Sequence, residues 1–474
     1  MHSAESPRQW AKEMFGGAAL GDCRRTRRVV EMATTAVRAG GGRVSSVFKV
    51  AREQQAAYDL LEHAHVEPEA LIDAVGHAVA RKAGAKPHVI VAVDGSSVSL
   101  VDHEGKKGFG IVGTAGKGAA GLKVITGLAV DAQGAPLGVM AQRWWARKPV
   151  VGRSRAQKSK ENAARPVKEK ETQRWLDVID DVRRRSQQHG CRAWVQIDRE
   201  GDAWPMLTAL SQTGLLFTVR SSWNRRLWTG SGERFYLADE LARCPVTAVF
   251  DLCVPARPHR KGRTARMQVR AMTAELRLKN RVTKTASKVS VTVVEARESG
   301  TTPRGESPLH WRLLTNYQVE TDRDLHEVIR GYAQRWRIEE FHRTWKSGAC
   351  DIESTQLRSA PAVIKWATIL GAVASRIERL KQLARTQPEL TAAQELSSFE
   401  IRALILLKRR EAKRTEKIGD EVPDVGTAVR WIAELGGYTG KSSGGPPGAT
   451  TIARGFDRVA VGAAILEAQA MGDE

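Results

Sequence analysis

Tyr332, Arg335, Glu339 and Lys346 have the make-up of a site for phosphodiester chemistry, and they recur at helical spacing. On an ideal helix, Arg335, Glu339 and Lys346 fall about 60°, 20° and 40° to one side of Tyr332. Ile338, Phe341 and Trp345 fall at roughly −120°, 180° and −140°, which makes them the opposite, core-facing side. Glu340 lies about 80° on the other side of Tyr332 and is the weaker candidate acid. One acid flanked by two cations and a tyrosine suits a metal ligand set among phosphate contacts. The plainer alternative is a solvated charged face with an Arg335–Glu339 pair one turn apart.

Two further acids close strand-like apolar runs: Asp94 follows Val89-Ile90-Val91-Ala92-Val93, and Asp198 follows Ala193–Ile197. Strand-like runs at 122–130 and 135–144, turning at Gln133-Gly134, come between them. The helical stretch beginning at Trp175, with Leu176, Ile179 and Val182 on one stripe, then leads to Asp198. The layout of strand, strand, strand, helix, strand, helix, strand, insertion and long helix is α/β. In it the first and fourth strands can lie parallel through a helical crossover. Asp94 and Asp198 would then share the crevice at the carboxyl ends of neighbouring strands. Three carboxylates without histidine can hold two divalent cations against a phosphodiester, which suits Mg²⁺, while basic side chains clamp the phosphates.

The remaining chain positions these residues. Residues 8–85 read as short amphipathic helices and 105–121 as a glycine-rich stretch. Residues 143–174, with eleven Lys/Arg and three Glu, read as a basic loop. A helix at 204–210 and a strand at 215–220 precede residues 223–310, which alternate as strands do and carry ten Lys/Arg between Arg257 and Lys284 against one Glu. A long helix is expected from Thr321 to Gly348, and helices thereafter except at 436–450.

The 474 residues, 42% of them hydrophobic, suffice for about two to four domains. With 75 Lys+Arg against 53 Asp+Glu, the net charge of +22 points to a polyanionic partner, nucleic acid above all. The five cysteines are never in CxxC spacing, which fits a reducing compartment and no zinc site. No run reaches ~18 uncharged apolar residues and the N-terminus lacks an apolar leader, so no membrane partner is expected. Gly116-Lys117-Gly118 is no P-loop, because Ile111 stands at its first glycine position.

The run Tyr332-Ala333-Gln334-Arg335-Trp336-Arg337-Ile338-Glu339-Glu340-Phe341-His342-Arg343-Thr344-Trp345-Lys346 resembles the Tyr-Arg-Glu-Lys signature of the bacterial IS-four family of DDE transposases. Similar runs are Ala18-Ala19-Leu20-Gly21-Asp22 with Arg24-Arg25-Thr26, Trp144-Trp145, Asp198-Arg199-Glu200-Gly201-Asp202, Val219-Arg220-Ser221 and Trp311-Arg312-Leu313-Leu314-Thr315, so the likeness covers nearly the whole chain. Departures are Gly95-Ser96-Ser97 after the first acid, the glycine-rich 104–122, and Ile452-Ala453-Arg454-Gly455, which lacks a tryptophan often found there.

The resemblance implies an RNase H-like catalytic core with a β-rich insertion, flanked by a helical N-terminal DNA-binding domain and a C-terminal dimerisation domain. The expected bounds are 1–75, 76–365 (insertion about 223–310) and 366–474. It implies Asp94, Asp198 and Glu339 as ligands of two Mg²⁺ ions, with Mn²⁺ as a substitute. It further implies Tyr332, Arg335 and Lys346 on the phosphates of a transposon end, Trp311 on a flipped base and Arg220 on DNA nearby. Arg24, Arg25, Arg27 and Arg28 would serve end recognition, or form only a solvated cationic face; the alternative for Trp311 is a core residue at a strand start. The partners implied are double-stranded DNA, both transposon ends and target, and a second copy of the chain. The implied location is the bacterial cytoplasm, at the nucleoid. Two rivals remain: a nuclease of the same core that does not join DNA, and a DNA-binding protein without catalysis.

Overall fold

A computed structural model describes residues 6–472, apart from 85, 87, 114–118, 149–153, 155, 158–160, 162–163, 229–233, 255–261, 281, 413–416 and 442–444. The chain opens with helices α1 (Pro7–Phe15), α2 (Cys23–Arg38), α3 (Val44–Val47), α4 (Ala51–Glu62) and α5 (Pro68–Gly84). Strands β1 (Val89–Ser99), β2 (Gly110–Val112), β3 (Ala119–Val130) and β4 (Pro136–Trp145) follow. Next come α6 (Thr172–His189), β5 (Ala193–Ile197), α7 (Trp204–Gln212) and β6 (Leu216–Arg220). The inserted region holds β7 (Arg226–Trp228), β8 (Arg234–Tyr236), α8 (Leu237–Arg243), β9 (Ala248–Val254), β10 (Arg263–Lys279) and β11 (Ala286–Glu298). After β12 (His310–Thr315) the chain is helical: α9 (Asp322–Ala333), α10 (Arg337–Lys346), α11 (Ala360–Thr386), α12 (Ser398–Glu411), α13 (Val425–Leu435) and α14 (Ala449–Gly472).

These elements form two compact bodies. One comprises Met1–Lys86, Gly95–Pro149 and Arg337–Glu474; the other comprises Pro87–Asp94 and Val150–Trp336. The catalytic segment expected at 76–365 thus draws residues from both.

In the first body, β3 pairs antiparallel with β2 and β4. Helix α5 packs on β4, and the contact requires Gly138. Its φ is +145°, and a Cβ there would stand 2.4 Å from Val79 Cγ2, so only glycine lets the helix approach. Helix α11 is long and apolar enough to cross a membrane, yet 78% of its most apolar window is buried inside the chain. Trp366, Ile369, Leu370 and Val373 on it are wholly buried, which makes it a core helix.

The second body is a sheet ordered β1-β5-β6-β12-β11-β10-β9. Strands β1, β5 and β6 are parallel, with α7 as the crossover between the last two; β12, β11, β10 and β9 are antiparallel. The inserted strands therefore extend the same sheet. One apolar cluster under it joins Trp194, Val269, Leu313, Ile329 and Tyr332.

Two expectations need correction. The long helix from Thr321 is not continuous: α9 ends at Ala333, Gln334–Trp336 form a 3₁₀ turn, and α10 begins at Arg337. A 3₁₀ turn advances about 120° per residue, so the angles drawn across it drift by some tens of degrees. Strand β1 also does not stop at Asp94, because it gains β3 as a new neighbour; just past its end Leu100 N–H donates to Ala120 C=O in β3 at 2.8 Å. The basic stretch 143–174 and the glycine-rich 105–121 lie in part outside the described residues; the described parts include Arg143–Trp145 in β4 and the start of α6.

Candidate active site

Register brings the first two acids together in the second body. Val93 pairs with Ile197, the last paired position of β1 and β5, so Asp94 and Asp198 follow side by side. Parallel neighbours of this kind stand roughly 4.8 Å apart. Asp198 also caps the short turn Arg199–Gly201, its Oδ1 accepting from Glu200 N–H at 2.8 Å. That bond fixes the carboxylate's direction.

The same body gathers Arg220, Trp311, Tyr332 and Arg335. Arg335 Nη1 lies 3.7 Å from Asp94 Oδ2. Tyr332 does not face outward as its spacing suggested: it is 5% exposed, and Trp311 meets its ring edge-on at 5.9 Å. Its place in the apolar cluster outweighs the polar stripe, because an aromatic ring gains more from burial than a hydroxyl loses when that hydroxyl finds partners. Those partners are the guanidiniums of Arg220 and Arg335. Burial pushes the Tyr332 phenol above its ordinary value; the two arginines oppose the shift and Asp198 adds to it. Burial likewise lowers Arg220, with Arg199 and Arg335 in the same direction and Tyr332 against. Arg220 also donates to His310 C=O at 3.1 Å. Two acids among three arginines and a buried phenol can receive both a cation and a phosphate.

Asp202 escaped the sequence reading as a functional residue. Its carboxylate is fully buried and accepts from Ser222 N–H (2.6 Å), Trp223 N–H (3.2 Å) and the Ser221 hydroxyl (3.3 Å), and it pairs with Arg225. It thereby pins the loop that follows Arg220. The only signal was its presence in the run Asp198–Asp202, since its partners lie about twenty residues away.

The first body carries Glu339 and Lys346. Glu339 sits in the first turn of α10, half-buried, while Ile338, Phe341 and Trp345 are wholly buried as expected. Trp345 Nε1–H donates to Ala367 C=O at 2.9 Å, anchoring α10 on α11. Glu340 is held by Arg337 at 2.7 Å and faces Lys381 at 3.5 Å. Burial pushes Glu340 up, but Lys381 and Arg337 outweigh it and hold the carboxyl below its usual range. Lys346 lies 3.5 Å from Glu353, which accepts from Ser99 N–H at 2.9 Å.

The four N-terminal arginines divide by role. Asp22 caps α2 through Arg24 N–H at 2.8 Å. Arg25 turns back to Leu20 C=O at 3.0 Å and Thr26 to Ala18 C=O at 3.1 Å, fixing the preceding loop. Arg28 pairs with Glu31 at 3.3 Å, and Arg24 and Arg27 are exposed.

Three family models match the chain. Residues 7–66 match the transposase DNA-binding model, 161–375 the transposase DDE domain and 372–469 the transposase Tn5 dimerisation domain. The chain belongs to the Tn5-like DDE transposases. This transposase has its DNA-binding domain first, its catalytic domain in the middle and its dimerisation domain last, on the mixed α/β, RNase H-like plan expected of it. Asp198 and Glu339 lie inside the DDE match and Asp94 precedes it. A DDE transposase depends on divalent metal. The adjacent carboxylates Asp94 and Asp198 fit a hard cation, which prefers oxygen donors. Within either body, no three described His, Cys, Asp or Glu side chains cluster closely enough to hold a metal ion.

Proposed function

We propose that this transposase works by cut and paste: it binds the terminal inverted repeats of its element, cuts them free and joins them to target DNA. Residues 1–75 would bind the ends, 76–365 carry the chemistry and 366–474 hold two copies together. The observation that carries the reading is the β1–β5 register, with Asp94 and Asp198 side by side and Arg335 3.7 Å from Asp94. Glu339 would supply the third carboxylate, as its place in the Tyr332–Lys346 run implies. Two Mg²⁺ ions, or Mn²⁺ in their place, bound by Asp94, Asp198 and Glu339 would activate the attacking oxygen and stabilise the leaving one.

The remaining groups hold the DNA. Tyr332, Arg335 and Lys346 would grip phosphates of the transposon end, with Arg220 beside them. Water attacks the first phosphodiester, breaking its bond to the 3′ oxygen and leaving a 3′-OH on the element and a 5′-phosphate on the flank. That 3′-OH attacks the opposite strand, closing a hairpin and releasing a 3′-OH on the flanking DNA. Trp311 would stack on the base extruded by the bend. A second water opens the hairpin, and the regenerated 3′-OH attacks the target. Arg24, Arg25, Arg27 and Arg28 would contribute to end recognition. The setting is the bacterial cytoplasm, at the nucleoid.

The test is a supercoiled plasmid carrying the inverted repeats that flank the reading frame, incubated with the protein and Mg²⁺ and resolved on denaturing gels. Nicked ends followed by hairpins and then joined products are expected. Cutting without joining would favour the nuclease reading, and metal-independent binding without cutting the DNA-binding one.

A further inference from the structure

Behind the first turn of α10 lies a neutral network of four charges, half-buried on α10 and buried on α11, that links the two helices. On α10, Arg337 and Glu340 pair at 2.7 Å, and Thr344 one turn beyond Glu340 donates its hydroxyl to Glu378 Oε1. On α11, Lys381 pairs with Glu378 and stands 3.5 Å from Glu340 Oε1. The Lys381 and Glu378 side chains are 8% and 3% exposed. A lysine is almost never buried this deeply without partners, and here it joins one acid from each helix.

We propose that Lys381 is a positioning residue for the catalytic acid: by holding Glu340 against α11 it sets the rotation of α10 and so the direction of Glu339. The inference rests on the reading of Glu339 as a metal ligand. Glu340 and Glu339 are adjacent, so a tether on one fixes the other about 100° round the helix. Wholly buried Ile338, Phe341 and Trp345, with the Trp345–Ala367 hydrogen bond, hold the far end of α10 on α11; the Lys381–Glu340 pair is the polar restraint at the first turn, where Glu339 sits. A turn of about 20° would carry a carboxylate some 2 Å sideways, and displacement of about 1 Å at a reacting centre can cost ~100-fold in rate.

Lys381→Met would leave Glu378 buried without its cation, so lost stability alone would prove nothing. Lys381→Met with Glu378→Gln removes both charges and should restore most of the stability while leaving Glu340 untethered. Glu340→Gln loosens the same tether from the other side. Three quantities should be measured on the full-length chain: urea unfolding, Mn²⁺ affinity from the electron paramagnetic resonance of free Mn²⁺, and end cleavage on the repeat-bearing plasmid. The double variant and Glu340→Gln should both cut about 100-fold more slowly, bind Mn²⁺ several-fold more weakly and shift end DNA on gels as the parent does. Recovery of cleavage and Mn²⁺ affinity together with stability in the double variant overturns the proposal, as does parental cleavage by Glu340→Gln. Failure of the underlying reading shows separately, as full cleavage by Glu339→Gln.

Discussion

Breaking the Asp202–Arg225 pair should cost far more together with its context than either residue's exposure suggests. The Asp202 side chain is wholly buried and the Arg225 side chain 18% exposed. Removing one partner of a buried pair typically costs about 3–5 kcal/mol, because the other charge is stranded. Asp202→Asn leaves Arg225 as that stranded charge, and also weakens the acceptor for Ser222 and Trp223 N–H, so about 4 kcal/mol is expected. Arg225→Met should cost less, about 3 kcal/mol, since two N–H groups and the Ser221 hydroxyl still neutralise part of the Asp202 charge. The double variant strands nothing and should fall at least ~2 kcal/mol short of the sum of the singles. Urea unfolding followed by tryptophan fluorescence measures all three. Additivity to within about 0.5 kcal/mol would refute the argument, because it would mean that the two groups do not sense each other.

Other consequences follow from single residues. Gln196 is fully buried on β5, with neither its amide nitrogen nor its oxygen hydrogen-bonded among the described residues; Gln196→Leu should therefore raise stability by about 1–2 kcal/mol in the same assay. Burial pushes Glu295 up, but hydrogen bonds from His310 and Arg312 outweigh it and hold its carboxyl below the ordinary 4.5. A depressed folded value makes this stabilisation complete above about 4.5 and lost as pH falls through the folded value; Glu295→Gln should be less stable at pH 7 and flatten the stability profile below pH 5. Arg27→Ala should weaken binding of end DNA and lower the salt slope by about one, whereas Arg25→Ala should chiefly loosen the loop at Ala18–Leu20, read as a lower melting temperature.

The sequence carried the order of elements because each has a local cause. The capping box of Thr321 and Asp324, the Asp22 cap and the apolar run Val89–Val93 announce themselves at short range. Side-chain spacing likewise predicted which face of α10 is buried. The 3₁₀ turn at Gln334–Trp336 was not legible, because helical periodicity cannot register a change of pitch over three residues. Nor was the burial of Tyr332 on α9, which depends on Trp311 coming from strand β12. Asp202, Glu353 and Lys381 were missed for the same reason: each acts on a partner that only folding brings near. The continuation of β1 past Asp94 was hidden because Gly95-Ser96-Ser97 has little strand preference of its own and is held by β3.

The most direct measurement is Mg²⁺-dependent cleavage of the cognate end by Glu339→Gln, compared with Asp94→Asn and Asp198→Asn, with a gel shift run alongside. Each variant should bind end DNA as the parent does and cut it at least ~1,000-fold more slowly, a loss of about 4 kcal/mol in transition-state stabilisation. Cleavage at the parental rate by any one of the three would contradict the assignment of that acid to the metal site.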